Sequence, residues 1–541
     1  MHLHEALASY LRDQGIDTIF GLVGDGNLFL MDSFRQQSGA RYVAVANEAS
    51  AVAAAAGYWQ ATGKLGVATV THGPGLTNTI TPLIEAVKGN MSLLLIAGDT
   101  AVTDVANMQD IAQQQIIAAA GAGFVQVRSP QTMAQDLAIA VQRALLDQRP
   151  VVLNVPADYQ WAEVEQVQAS GRPAERQAVA PDDAALDRAV GIIAASRRPL
   201  ILAGRGAIAG PSRQALIALA ARLNAPLATT LMAKDLFWDQ PGNLGVFGTL
   251  AHEVALETIQ HSDCVIAFGA GLNNWTTAEG SLVKDKAVVQ VDIDAARIGR
   301  HTVPDAAVTA DAGAAATAIT AWLDAADAPA GSLLTEKLLA QLAGLARSGT
   351  QARDPDAAIC IQDALSIIDE MTPADRTVVH DSGRFIFTSF PMVPVRDPRG
   401  FLHTANYAAI GLAVPTGIGA AVGEPGWPVL VITGDGGFAL GGLTEFSTAV
   451  RYGLDLLVVV LNDGAFGAEH IQLTDRNLDP AIAMFEWPDF GPVAEALGGY
   501  GATVRTAAQL RQALEQAQHR RPALIDIKLD PGEIPWPGGH R

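Results

Sequence analysis

Charge is scarce in this chain: Asp, Glu, Lys and Arg make up 17% of its 541 residues, against about 25% in ordinary globular domains. What charge there is leans one way. Lys and Arg total 36 against 56 Asp and Glu, a formal balance of −20. A field of that sign repels phosphate backbones and anionic lipid, so neither nucleic-acid nor membrane partners are expected. Cysteine is nearly absent: Cys264 and Cys360 have no metal-type spacing, which excludes a disulfide scaffold and a cysteine zinc site. Long apolar runs are missing too. Stretches such as 93–97 and 456–461 are far shorter than the ~20 residues of a membrane span. The chain opens without a basic segment leading into an apolar one, so a soluble, cytoplasmic protein is expected.

Apolar residues, at 49%, are ample to offset ordering entropy. At about 150 residues per domain the length suggests three or four domains. Three stretches alternate short apolar runs with longer helical patterns, which predicts α/β layers with parallel sheets. In the first, strands are expected at 19–23, 42–45, 67–71, 93–97 and 151–155, with an Ala-rich crossover helix at 49–62. In the second they are expected at 199–203, 264–268 and 287–291, and in the third at 377–380, 429–433, 456–461 and 523–527. Residues 166–183 lose periodicity and read as a linker, as do 327–332 and 348–355. The three units look like variations on one architecture. Glycines gather after predicted strands, at Gly73-Pro74-Gly75, Gly204-Arg205-Gly206, Gly269-Ala270-Gly271 and Gly434-Asp435-Gly436-Gly437. Open parallel sheets bind ligands there.

The most informative stretch delivers Gly434-Asp435-Gly436 at the end of one buried strand. One helix later, a second such strand delivers Asn462-Asp463-Gly464. Two oxygen-bearing side chains thus stand side by side with glycine amides between them. Such a set suits Mg²⁺ bridging a diphosphate. Either turn alone is a common strand-end turn. Together, 28 positions apart (435 to 463), they point to a metal-diphosphate site.

These residues resemble the thiamine-diphosphate signature of the superfamily of acetolactate synthases, benzoylformate decarboxylases and pyruvate decarboxylases, most closely the acetolactate synthase large subunit. The resemblance implies three doubly wound parallel-sheet domains: pyrimidine-binding at 1–165, Rossmann-like at 184–325 and diphosphate-binding at 358–541. It implies thiamine diphosphate and Mg²⁺ as cofactors. The metal ligands implied are Asp435, Asp463 and the backbone carbonyl of Ala465, with Asn462 as the alternative to Asp463. The family usually has a second asparagine at this ligand position, and the chain has one extra residue near Gly441-Gly442.

The N-terminal unit is similar to the same family. Glu48-Ala-Ser-Ala-Val-Ala-Ala-Ala-Ala-Gly57-Tyr58 matches its Glu-containing segment, and Thr71-His72-Gly73-Pro74-Gly75-Leu-Thr-Asn78 its Gly-Pro-Gly loop, with His72 where serine is usual. The resemblance implies Glu48 as the carboxylate that activates the cofactor at its aminopyrimidine. It implies Ile410, 25 positions before Asp435, as an apolar wedge under the cofactor. Further cofactor contacts are implied at Gly24, Asn78, Asp381, Ser382, Gly383, Gly434, Gly436, Gly437, Phe466 and Gly467. On the substrate side stand Gln109 and Gln113, with Glu469 and His470 past the metal loop. His72 has two readings, a proton shuttle or a satisfied loop histidine. Gly204-Arg205-Gly206 is a weak dinucleotide signal that also fits a tight strand-to-helix turn, so FAD stays open.

The activity implied is decarboxylation of a 2-oxo acid, with ligation of the remaining fragment to a second carbonyl. A simple decarboxylase, a carbon–carbon lyase and a non-catalytic nucleotide-binding relative are the alternatives. A homodimer or homotetramer with active sites at the subunit interface is also implied.

Overall fold

The computed structural model describes residues 1–104, 106–165, 177–345 and 356–532. Of the expected linkers, 166–176 and 348–355 fall outside the described residues. The strands form three six-stranded parallel sheets flanked by helices. The first comprises β1 (Thr18–Gly21), β2 (Arg41–Ala44), β3 (Gly66–Val70), β4 (Leu93–Asp99), β5 (Gly123–Gln126) and β6 (Val151–Pro156), in the order β2-β1-β3-β4-β6-β5. The second comprises β7 (Pro199–Ala203), β8 (Leu227–Thr229), β9 (Asn243–Val246), β10 (Cys264–Phe268), β11 (Ala287–Asp292) and β12 (Ala306–Thr309), in the order β12-β11-β10-β7-β8-β9. The third comprises β13 (Thr377–His380), β14 (Phe401–His403), β15 (Val429–Gly434), β16 (Leu456–Asn462), β17 (Tyr500–Val504) and β18 (Ala523–Lys528), in the order β14-β13-β15-β16-β18-β17.

The α/β doubly wound class is therefore correct. The three units share one architecture, six parallel strands flanked by helices, but not one strand order. The first and third sheets share a strand order, whereas the second has the dinucleotide-fold order 3-2-1-4-5-6. Strands β5, β8, β9, β12, β14 and β17 escaped the sequence reading. They are short, and several are only half-buried, as the alternating burial of β12 and the partial burial of β9 and β17 show. Central strands such as β3 and β16 are buried along their whole length, which is why they read as continuous apolar runs. The segment expected as a linker, 327–332, is irregular but packed within the middle unit. Gly331 N donates to the Leu223 carbonyl (2.8 Å) and Ser332 N to that of Arg197 (2.9 Å), and a helix, Glu336–Leu345, follows.

The described residues divide into two compact units. One draws on Met1–Glu175, Arg353–Val393 and Leu402–Arg541, the other on Arg176–Ala352 and Pro394–Phe401. In the first unit the Glu48–Thr62 helix packs on the Ala413–Gly423 helix with almost no side chains between them. A Cβ on Gly57 would collide with the Thr416 carbonyl, and one on Gly419 with that of Ala54. Polar ties border this contact. Ala46 N donates to Glu445 Oε1 (2.9 Å), Ala44 N to Tyr452 Oη (2.7 Å) and Arg451 to the Ala44 carbonyl (2.8 Å). The first and third sheets thus share one apolar cluster, from Phe20 and Val70 to Val431 and Val458.

In the second unit the segment Pro394–Phe401 stays with the middle sheet. Val395 N donates to Asp235 Oδ2 (2.9 Å), and the Lys234 ammonium stands 5.6 Å from the Phe401 ring centre. No helix among the described residues is long and apolar enough to cross a membrane.

Candidate active site

Strand order places the site. In the first sheet the chain reverses direction between β1 and β3, and in the third between β13 and β15. Ligands of open α/β sheets bind outside the carboxyl ends of the strands at such a reversal. The loops there are 22–26 and 71–75 in the first sheet, and 381–384 and 434–437 in the third. They carry half of the site residues that the sequence singles out.

At the third sheet, β15 ends at Gly434, whose extended backbone opens the turn Asp435-Gly436-Gly437. The next five residues, Phe438–Gly442, form a π-helical turn before the Leu443–Tyr452 helix resumes. A π turn takes up one extra residue without breaking a helix. Such a turn is what the added residue expected near Gly441-Gly442 would need. Phe466 packs over Gly436, and Asp381 over Gly437, so closely that a Cβ on either glycine would collide with them.

Asp435 is 2% exposed, and its Oδ2 has no hydrogen-bond partner. Burial first, then the Asp463 carboxylate beside it, pushes the Asp435 carboxyl up to about 7. Burial raises Asp463 as well, against the pull of Arg384. Two desolvated carboxylates facing each other repel, and a divalent cation between them removes that cost. The orphaned Asp435 oxygen supplies a ready ligand. Asn462 and Asp463 part company here. Asn462 turns inward, its Nδ2 donating to the fully buried Asp526 (2.8 Å) and its Oδ1 accepting from Gly464 N (3.2 Å). Asp463 turns toward Arg384, near enough to Asp435 for its charge to raise that carboxyl. Among the described residues no group of three or more His, Cys, Asp or Glu side chains is poised for a metal. A site of two carboxylates and a carbonyl fits that count.

The sequence reading missed Arg384. Its Nη2 lies 3.0 Å from Asp463 Oδ2 and 2.7 Å from the Pro531 carbonyl, while its buried Nε has no partner. Position was the available signal, because Arg384 directly follows the Asp381-Ser382-Gly383 loop. Asp381 itself is saturated by the protein. It accepts from Ser382 N (3.0 Å), Thr404 Oγ1 (3.0 Å), Thr433 Oγ1 (2.8 Å) and Gly411 N (2.9 Å). Ser382 and Gly383 are half-buried at the loop's tip, and Ile410 is half-buried next to Gly411. Phe466 is partly exposed and caps the Gly467–Asp475 helix, which carries exposed Glu469 and half-buried His470.

At the first sheet, Glu48 is the first residue of its helix, behind the cap that Asn47 makes to Ala49 N (2.8 Å). Its Oε2 accepts from Asn78 Nδ2 (3.0 Å), which joins the Glu48 segment to the Gly-Pro-Gly loop. Glu48 stays half-exposed. His72 is buried with Nδ1 against Gly26, and Gly26 N donates to Thr71 Oγ1 (3.1 Å). Gly24 packs on Thr71 in the same way. Gln109 lies with its backbone against Gly73 and its side chain half-exposed. Gln113 is used up internally: Oε1 accepts from Gly73 N (2.9 Å), and Nε2 donates to Gly98 O (2.9 Å) and Asn154 Oδ1 (2.6 Å). The contacts thus gather the expected residues into two groups, one around Glu48 and His72 and one around Asp435.

The reversal point of the middle sheet is different. Gly206 N donates to the Gly269 carbonyl (3.2 Å), and a Cβ on Gly204 would collide with that same carbonyl. These glycines serve the packing of two turns on each other. Beside them Arg205 is half-buried, and desolvation together with Arg297 lowers its guanidinium to about 10.

Comparison with known families finds three consecutive matches. They are to the N-terminal TPP binding domain of thiamine pyrophosphate enzymes at residues 1–120, their central domain at 186–319, and their C-terminal TPP binding domain at 381–527. A Mycobacterium bovis acetolactate synthase is 27% identical over 98% of this chain and 89% of its own length. A Haemophilus influenzae acetolactate synthase large subunit is 25% identical over 98% of this chain and 95% of its own. A Pseudomonas aeruginosa protein named as a probable 2-ketoarginine decarboxylase is 29% identical over 94% of this chain and 89% of its own.

Proposed function

We propose, given that the chain belongs to the thiamine pyrophosphate enzyme family, that it is a Mg²⁺-dependent enzyme that decarboxylates a 2-oxo acid and joins the remaining fragment to a second carbonyl. The observation that carries this reading is the buried Asp435–Asp463 pair at the reversal point of the third sheet, with Asp435 Oδ2 unpartnered. Asp435, Asp463 and the Ala465 carbonyl would hold the metal. Backbone amides of 434–437 and Gly467 would take the diphosphate oxygens. When bound, the cofactor supplies a nucleophilic carbon and an electron sink for loss of carbon dioxide.

The protein's part is to place groups and hold protons. Glu48 would keep a proton at the cofactor's aminopyrimidine, and Asn78 orients that carboxylate through its 3.0 Å bond. Ile410 would stand under the cofactor as an apolar support. His72 and Gln109 would stand toward the substrate, His72 either as a proton carrier for the reacting fragment or as a satisfied loop histidine. The Glu48 and Asp435 groups would meet across a subunit interface, so a homodimer or homotetramer is the working form.

A second reading, simple decarboxylation, is favoured by the decarboxylase relative at 29% identity. One experiment separates the two. A panel of 2-oxo acids is assayed for carbon dioxide release with added thiamine diphosphate and Mg²⁺, and the products are identified. A 2-hydroxyketone supports ligation and a free aldehyde supports decarboxylation. No release from any acid refutes both.

A further inference from the structure

Two buried carboxylates hold one loop from opposite sides. The loop runs from Thr404 to Gly411, ahead of the Ala413–Gly423 helix, and carries Ile410. On one side Asp381 accepts from Thr404 Oγ1 and, with both oxygens, from Gly411 N (3.1 and 2.9 Å). On the other side stands Glu85, on the Ile80–Lys88 helix. It accepts from Asn406 N (3.0 Å), Asn406 Nδ2 (2.6 Å) and Tyr407 N (2.6 Å), contacts that span more than 300 positions of sequence. Glu85 is only 4% exposed. Burial raises its carboxyl, the three loop bonds pull it back down, and Asp381 adds to the rise. A buried carboxylate that faces a second one is costly unless donors surround it. Here all three donors come from this loop.

The loop between the clamps is strained. Ala408 has φ +59°, a left-handed conformation unusual for a residue with a Cβ. Gly411 has φ +88°, and its carbonyl packs so tightly on Gly441 that a Cβ there would collide with it. Such strain persists only where the surroundings over-determine the backbone. Releasing one clamp lets Ala408 relax, and Ile410, two residues on, moves with it.

We infer that Glu85 is a positioning residue: by anchoring Asn406 and Tyr407 from the first-sheet side, it fixes where Ile410 stands. It acts through the loop and touches no reacting atom. The inference rests on the proposed role of Ile410 under the cofactor.

The test is a double-mutant cycle of Glu85→Gln and Ile410→Ala. It is read as kcat and KM per cofactor-loaded subunit for the 2-oxo acid that the panel identifies. Binding of thiamine diphosphate with Mg²⁺ is followed separately by tryptophan fluorescence, and the bound cofactor by near-ultraviolet circular dichroism. Glu85→Gln keeps the size of the side chain but turns an amide donor toward the loop's N–H groups. It is expected to lower kcat about tenfold with KM within about twofold of the parent. The double variant should be no slower than the slower single, because both act through one side chain. Both singles should shift the cofactor's dichroism in the same sense. An unchanged kcat per loaded subunit, or losses that multiply in the double, overturns the inference. Should Glu85→Gln fail to fold, Asn406→Ala, which removes one of the three bonds, takes its place in the cycle with the same criterion. If the parent neither binds thiamine diphosphate nor releases carbon dioxide, the functional reading has failed and this inference falls with it. If the parent does both and the cycle is additive, the clamp alone is wrong.

Discussion

Replacing Arg384 with Met removes the guanidinium that faces Asp463 and leaves two carboxylates buried side by side. The side chains of Arg384 and Asp463 are 3% and 8% exposed and 3.0 Å apart. At an effective dielectric of about 20, unit charges at that distance attract by roughly 5 kcal/mol. Desolvation offsets part of this, and losing one partner of a buried pair costs about 3–5 kcal/mol. Urea denaturation in EDTA should therefore show Arg384→Met destabilised by an amount in that range. Saturating Mg²⁺ with thiamine diphosphate supplies cationic charge to the same carboxylates. With Arg384 gone those carboxylates should bind the cation more tightly, and each tenfold gain in affinity over the parent narrows the gap by about 1.4 kcal/mol. Adding Asp463→Asn to Arg384→Met removes both charges and should return stability in EDTA to within ~1 kcal/mol of the parent. A single variant within ~0.5 kcal/mol of the parent in EDTA would refute the pairing. So would a double variant as unstable as the single.

Glu48→Gln should leave folding and cofactor binding intact while lowering turnover by about 100-fold or more, and turnover near the parental rate would remove Glu48 from its proposed role. Gly419→Ala drives a Cβ into the Ala54 carbonyl, a backbone atom of a fully packed helix; it should destabilise by about 3 kcal/mol, and an unchanged thermal midpoint would contradict the close contact. Glu445 is fully buried, and burial raises its carboxyl from the ordinary 4.5. A raised carboxyl binds its proton more tightly folded than unfolded, so its contribution is complete below 4.5 and is lost as pH rises through the folded value. Glu445→Gln should therefore lose less stability than the parent between acid and neutral pH, and parallel pH–stability curves would be the contrary result.

The two ends of the site were legible in the sequence for different reasons. Asp435 and Asn462-Asp463 stand at the ends of strands buried on both faces, so the apolar runs of β15 and β16 announced the turns that follow. Edge strands gave no such signal. In β12 alternate residues are exposed, and three-residue strands such as β8 and β14 are too short to show a period. What could not be read was anything decided across the chain. Arg384 meets Asp463 from 79 positions away, and Glu85 meets Asn406 from 321 positions away. Nothing local to Glu85, on an amphipathic helix, distinguishes it from a solvated acid. The opposed orientations of Asn462 and Asp463 were closed to sequence for the same reason, because Asp526, which turns Asn462 inward, lies two strands later in the chain.

That last contact ties the fold to the proposed chemistry. At the end of β16 two neighbouring side chains point opposite ways, as strand geometry requires. Asp526 and the Gly464 amide satisfy Asn462 below the loop, so the loop is anchored whether or not a cation lies above it. Asp463 is then free to stand beside Asp435, and as a carboxylate it brings a second buried negative charge to the site. Arg384 offsets that charge from the loop after β13, on the far side of β15. Asp463 and Arg384 therefore depend on each other's charge. An amide at 463 would leave Arg384 as an unpaired buried cation, and a neutral residue at 384 would leave Asp463 an unpaired buried anion. Each half on its own costs what the other removes.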